Sequence, residues 1–306
     1  MELVTIAEGL RFPEGPIAMP DGSVILVEIE RQTLSRVTPD GGVQPIATLG
    51  GGPNGAAMGP DGAIYVCNNG GFEFQEDNGN IRPVRQAHDY SGGRIERVDP
   101  ISGEARVLYT SCNGNLLCGP NDIVFDKQGG MWFTDLGKTR DRDWDRSGLY
   151  YATIDGKHIE EAAYPLITAN GVGLSPDERT LYAAETQTGR LWAFDLEAPG
   201  KIKKQDWPSP HGGRLLGQTT GFRNFDSLAV DAVGNICVAT LMDGGITVIA
   251  PDGSSVEHID MPDPYTTNIC FGGPNLKTAF ITQSLTGKLL ACEWPEAGLP
   301  LNFLNA

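Results

Sequence analysis

The chain has 306 residues, of which 40 % are hydrophobic, enough to bury a sizeable core and to exclude disorder for most of its length. Its net charge is −16 and its longest basic run is Lys203-Lys204, which argues against a nucleic-acid partner, and no apolar stretch approaches the 18 residues of a membrane span. About a fifth of the chain is Gly or Pro against a background of roughly 12 %, the punctuation of many short strands rather than of helical bundles.

From the N-terminus, Met1 to Gly9 carries neither a basic leader nor a long apolar run, so a signal peptide is not expected and a cytoplasmic setting is. Glu14 then opens a pattern that recurs through the chain. A polar anchor is followed by a short apolar strand, a turn with Asp or Gly, and a second apolar strand. The copies start at Glu14 (EGPIAMPDGSVILVEI), Asn54 (NGAAMGPDGAIYVCNN), Asn121 (NDIVFDKQGGMWFTDL), Asn170 (NGVGLSPDERTLYAAE), Asp226 (DSLAVDAVGNICVATL) and Asn268 (NICFGGPNLKTAFITQ). The anchors are 40, 67, 49, 56 and 42 residues apart, close to the length of a four-stranded propeller blade.

Inside each copy the local chemistry is that of a hairpin. Pro20-Asp21-Gly22 and Pro60-Asp61-Gly62 are turn formers, and the runs after them, such as Ala63–Cys67 or Met131–Thr134, are β-branched or aromatic and too short for helices. Further strands are expected at Thr33–Val37, Gly93–Val98 and Arg190–Phe194, with the alternation of half-exposed outer positions. The long gap after Asn54 holds a polar and aromatic insertion at residues 72–92, expected as a loop over one face and a candidate cover for a site. A second loop is expected from Trp207 to Arg223. The six cysteines form no C-x-x-C pair and read as reduced, buried thiols, Cys112 and Cys118 being the one pair close enough in sequence to bridge.

The expected fold is therefore all-β, a six-bladed β-propeller with four-stranded blades and one domain over residues 1–306; five or seven blades would require a miscounted copy. Residues 3–6 and 301–304 are expected to pair and close the ring, since an open ring leaves sheet edges bare. Each anchor should stand just before the innermost strand of its blade, so that all six meet around the axis. One such residue alone commonly bonds its own turn backbone. Six together make an oxygen-rich ring of two carboxylates and four amides without Cys or His, the donor set of a hard divalent cation.

FPEGP around Glu14, GPND around Asn121, NGVGLSPD from Asn170 and the FDSLAVD-x-x-GN run around Asp226 resemble the senescence-marker-protein/gluconolactonase/regucalcin family of six-bladed propellers, from about residue 8 to residue 294. The resemblance implies one central divalent metal ion (Ca, Zn, Mn, Mg or Fe) and hydrolysis of sugar lactones. By motif it makes Glu14, Asn170 and Asp226 direct ligands, and Asn121 a further ligand or a contact to substrate and metal-bound water; Asn54 and Asn268 stand behind them. The family's basic substrate-contact segment has no match in Cys67–Phe72 or Cys118–Pro120, so an apolar or enol lactone is as good a candidate as an aldonolactone.

The expected chemistry is metal-assisted opening of a small-molecule lactone, with the cation polarising the carbonyl and Asp226 as general base; Asn121 completes the reacting centre. Asp122 is a substrate contact or a strand-end partner, and His88 and His211 are the two histidines on loops that reach the site. No G-x-S-x-G elbow supports a serine nucleophile. The rival readings are a phosphotriesterase-like hydrolase with the same ion, a non-catalytic metal-stabilised propeller, and a strictosidine-synthase-like activity, which should not retain both carboxylates.

Overall fold

The computed structural model describes residues 1–306, and its strands assort into six antiparallel blades arranged as a ring. Their innermost strands are Pro13–Ala18, Pro53–Met58, Pro120–Phe125, Ala169–Leu174, Asn224–Val230 and Thr266–Gly272, and each contacts the next around the axis, the last returning to the first. Blade 1 continues through Val24–Glu28 and Thr33–Val37 to Val43–Thr48, and the other blades repeat this outward order. Aliphatic and aromatic side chains fill the spaces between blades. Trp132 and Phe194, for example, share one buried cluster between blades 3 and 4.

The ring closes at the chain start. Val4–Glu8 is the outermost strand of blade 6, antiparallel to Lys288–Glu293 with Val4 opposite Ala291 and Glu8 opposite Lys288. Closure between distant parts of the chain removes the edge that an open ring would expose. The expected partner of this strand was residues 301–304, and that is corrected: the partner is Lys288–Glu293. Residues 301–304 form turns under the hub instead. Leu299 N–H donates to Val230 O of blade 5 (3.0 Å), the Asn302 amide donates to Phe125 O (3.1 Å) and Glu178 Oε1 (2.7 Å), and Phe303 meets Phe125 edge-on. The C-terminal segment thus lies across the lower mouth of the central channel, from blade 5 to blades 3 and 4.

The insertion after blade 2's second strand is ordered as a hairpin, Phe72–Asp77 paired with Asn80–Gln86, rather than a loop. It lies over the upper face. Ile81 N–H reaches Leu285 O in blade 6 (3.1 Å), Phe74 packs edge-on against Phe12 of blade 1, and Gln86 N–H donates to Thr139 O in blade 3 (2.8 Å). The Trp207–Arg223 segment also differs from the expected loop, since Arg214–Gln218 pairs with Arg190–Ala193 as the outermost strand of blade 4. Thr33–Val37, expected half-exposed, is almost wholly buried because a fourth strand covers it. All six cysteines are free thiols, five of them buried.

Candidate active site

The six anchors occupy equivalent places one or two residues inside the innermost strands, not just before them as the sequence suggested. At each of the six, the pairing with the second strand slips in register beside the anchor. Such a bulge turns the strand and re-aims a side chain that regular alternation would place otherwise. The bulges also let adjacent strands close in. A Cβ on Gly15, whose φ is +51°, would lie 2.6 Å from Asn54 O and 2.8 Å from Ala56 N, and one on Gly55 would lie 2.6 Å from Asp122 Cα and collide with Asn121 O. Only glycine allows this approach.

All six anchors are buried, Asp226 the most exposed at 8 %. Glu14 Oε2 accepts from Gly15 N–H and from the Asn268 amide, both at 2.8 Å, while Asn268 Oδ1 accepts its neighbour's Ile269 N–H (2.8 Å). Asn268 therefore orients Glu14 through its NH₂ group and keeps its oxygen for the backbone. Asn170 is held by Thr186 Oγ1 (3.0 Å) through its Nδ2 and accepts from Ser227 Oγ at a long 3.4 Å. Asn121 Oδ1 is buried with no partner at all. A buried carbonyl oxygen without a donor costs roughly 1–3 kcal/mol unless something fills the gap.

The electrostatics point the same way. Burial pushes the Glu14 carboxyl up to about 7 and the Asp226 carboxyl well above its usual range, and Glu14 adds repulsion to Asp226. Asp122 is also pushed up to about 7, by burial and then by Glu14. None of the three has a basic partner within ion-pair distance. No three His, Cys, Asp or Glu side chains are gathered as a metal-binding group, so a cation at this hub would depend on the amides as well. A divalent ion would meet the unpaired Asn121 oxygen and neutralise Glu14 and Asp226, and on donor chemistry the residues fit one.

Asp122 has a definite structural task. Its Oδ1 accepts Ile123 N–H (3.0 Å) and its Oδ2 accepts Val172 N–H (3.2 Å), so it ties blade 3 to blade 4 just below the anchors. Asn54 is buried in the ring. His88 is 86 % exposed beside Glu73 near the root of the hairpin. His211, expected on a loop over the site, packs instead against Trp192 and Phe194 on the third strand of blade 4, and burial lowers its pKa. Neither histidine joins the anchors.

Two features escaped the sequence reading. One is a second ring of buried polar side chains at the ends of the second strands: Glu28, Asn68, Asp135, Glu185 and Gln283. Each accepts a backbone N–H from the segment entering its own blade's inner strand, at Arg11 (2.9 Å), Gly52 (2.9 Å), Cys118 and Gly119 (2.7 and 2.6 Å), Ile167 (2.7 Å) and Asp263 (3.0 Å). These bonds fix the height at which the anchors present themselves. The signal was legible, a polar residue at the last position of the second strand, 14 or 15 after the anchor, in five of six copies, with Leu241 at that strand end in the sixth.

The other feature is Lys138. The blade-2 segment Cys67–Phe72 has no base of its own, yet the fold brings this lysine to it from blade 3. The residue is 1 % exposed, and its ammonium donates to Asn69 Oδ1 and Gly71 O (both 2.9 Å) and sits 3.7 Å above the Phe72 ring. Burial lowers its pKa to about 7. It locks the root of the covering hairpin. Beyond that root, Phe72, Phe74, Phe12 and Tyr265 form a chain of edge-on rings between the hairpin and the entrances of blades 1 and 6.

Residues 12–284 match the family model described as the SMP-30/Gluconolactonase/LRE-like region. The gluconolactonase of Zymomonas mobilis is 26 % identical over 91 % of this chain and 78 % of its own, and the lactonase drp35 of Staphylococcus saprophyticus is 31 % identical over 83 % and 71 %. A solved gluconolactonase structure from Xanthomonas campestris superposes with a TM-score of 0.75 at 22 % identity, over 96 % of this chain and 89 % of that one, which bears on the fold.

Proposed function

Since the chain belongs to the SMP-30/gluconolactonase/LRE-like family and the relatives that cover most of it include a gluconolactonase and the lactonase drp35, we propose that it is a lactonase that works with one divalent cation at the hub. The observation that carries this reading is the burial, at equivalent places on four innermost strands, of Glu14, Asn121, Asn170 and Asp226, two carboxylates close enough for Glu14 to repel Asp226 and an unpaired amide oxygen, with no cationic side chain to offset them. Glu14, Asn170, Asp226 and Asn121 would hold the ion, and a bound divalent ion supplies polarisation of an ester carbonyl and a more acidic water.

The chain's own groups do the rest. Asn268 and Gly15 N–H hold Glu14 in one orientation, and Thr186 with Ser227 does so for Asn170, so the donors need no rearrangement during turnover. Asp226 takes the proton of the water that adds to the lactone carbonyl. When the ring C–O bond breaks, Asp226 returns that proton to the departing alkoxide, leaving a hydroxy acid. Burial raises the proton affinity of Asp226, which suits a base that must also act as an acid.

The covering hairpin and the chain of aromatic rings favour an apolar or aryl lactone over a polyhydroxylated sugar lactone, because Lys138, the nearby base, is already saturated by Asn69, Gly71 and Phe72. Elemental analysis followed by hydrolysis assays on gluconolactone, dihydrocoumarin and an organophosphate, before and after chelation, tests the reading. Metal-dependent turnover fastest on dihydrocoumarin is expected. Tight metal uptake with no hydrolysis of any substrate would replace the enzyme with a metal-stabilised binding propeller.

A further inference from the structure

Below the anchor ring the channel widens into a cavity of about 420 Å³. Its walls come from all six blades, and each blade contributes a small side chain: Pro16, Ala57, Val124, Gly173, Ala229 and Cys270. Larger residues of the same strands, such as Ile123, Val172 and Leu228, line it too while also joining the clusters between blades. Leu299, Leu301 and Leu304 of the C-terminal segment floor the cavity. At its ceiling Asp122 is occupied by the backbone of Ile123 and Val172, and Asn268 by Glu14 and Ile269.

Apolar residues make up most of this lining, so away from its lower mouth the compartment offers water few partners. Buried water needs two to four polar groups, whereas a roomy apolar cavity takes apolar guests; an engineered cavity of roughly 150 Å³ in another protein holds benzene. By that measure this one takes a molecule of roughly 12–18 heavy atoms, within the usual size range of ligand pockets. The charged and polar side chains that line the space, Lys127, Ser175, Asp177 and Glu178, follow the inner strands of blades 3 and 4 at the lower mouth, and the ceiling groups are already paired, so the interior between them is left to apolar contacts.

We infer that the lower channel is a binding site for one neutral, apolar small molecule, with the C-terminal segment as its gate. The gate is built for the task. Leu299 N–H hinges it on Val230 O, and the Asn302 amide latches it to Phe125 O and Glu178 at the far side. The site adjoins the polar ring at its ceiling, draws no free donor from it, and stands whether or not that ring holds a metal.

The test is titration of the full chain with 1-aminoanthracene, followed by fluorescence, with and without chelator. One probe per chain is expected in both conditions. Ala229→Phe, which fills the lumen, should weaken binding at least tenfold. Asn302→Ala should speed entry and exit several-fold while changing affinity little. Absence of saturable binding, or unchanged affinity in Ala229→Phe, would overturn the inference. Should that variant not fold, crystals of the unaltered chain under xenon give the same answer: xenon in the lower channel supports the site, and a column of ordered water there overturns it. Because the readout is independent of hydrolysis and of metal, a failed lactonase assay leaves it standing.

Discussion

The upper and lower halves of the central channel are made by the same six strands, yet they are opposite in character. Above, Glu14, Asn54, Asn121, Asn170, Asp226 and Asn268 bring charge and amides into a buried ring. A few residues further along, Ala57, Val124, Gly173 and Ala229 leave an apolar space. The scaffold is indifferent to the difference. A bulge at each anchor turns a polar side chain to the axis, and beyond it the ordinary alternation of the strand returns small apolar ones. Function in this fold is decided by which side chain stands at each height.

The contrast can be broken most severely from above. Asp226→Ala should keep the fold and lower lactone turnover by about 10²–10⁴-fold, the range for loss of a general base, measured as kcat/KM with metal in excess. Undiminished turnover would remove Asp226 from the mechanism. Gly55→Ala attacks the geometry that makes the ring: its Cβ meets the backbone of Asn121 and Asp122, which side-chain motion cannot relieve. A loss of about 3 kcal/mol or more in chemical denaturation is expected, whereas Gly62→Ala, with open space around it, should cost only about 1 kcal/mol for its left-handed backbone.

The pH dependence sharpens the comparison further. Glu14 and Asp122 hold their protons more tightly folded than unfolded, each with a folded value near 7. Their contribution is therefore fully present below the ordinary carboxylate range and is lost as pH rises through about 7. The metal-free chain should lose thermal stability between about pH 4.5 and 8, and a saturating divalent cation should remove most of that slope; a flat profile without metal would show that the upper ring is not electrostatically strained. The smallest effect belongs to the lower half. Asn302→Ala removes two hydrogen bonds at the channel mouth and should cost about 1–2 kcal/mol, with faster proteolysis after Leu299.

Much was legible in the chain because a propeller repeats. The six anchors, the hairpins behind them and the blade count follow from one pattern, and the family match over residues 12–284 agrees with the motifs around Glu14, Asn121, Asn170 and Asp226. The second polar ring was written in the same repeat, 14 or 15 residues on, and went unread because each of its members looks like an ordinary strand end. His211 shows the reverse error. Its loop and its Gly neighbours suggested access to the site, but Trp192 and Phe194 offered a better home for an imidazole.

What the sequence determined by itself was periodic and local: strand length, turn chemistry, and the residue type at each equivalent height. The tertiary structure alone decided everything that joins parts without a shared period. It paired Val4–Glu8 with Lys288–Glu293, carried Lys138 from blade 3 to the root of a blade-2 hairpin, and laid residues 299–306 under the hub. Those contacts are single events between distant segments, chosen by burial and by the hydrogen-bond needs of a closed ring, and a local pattern carries no record of them.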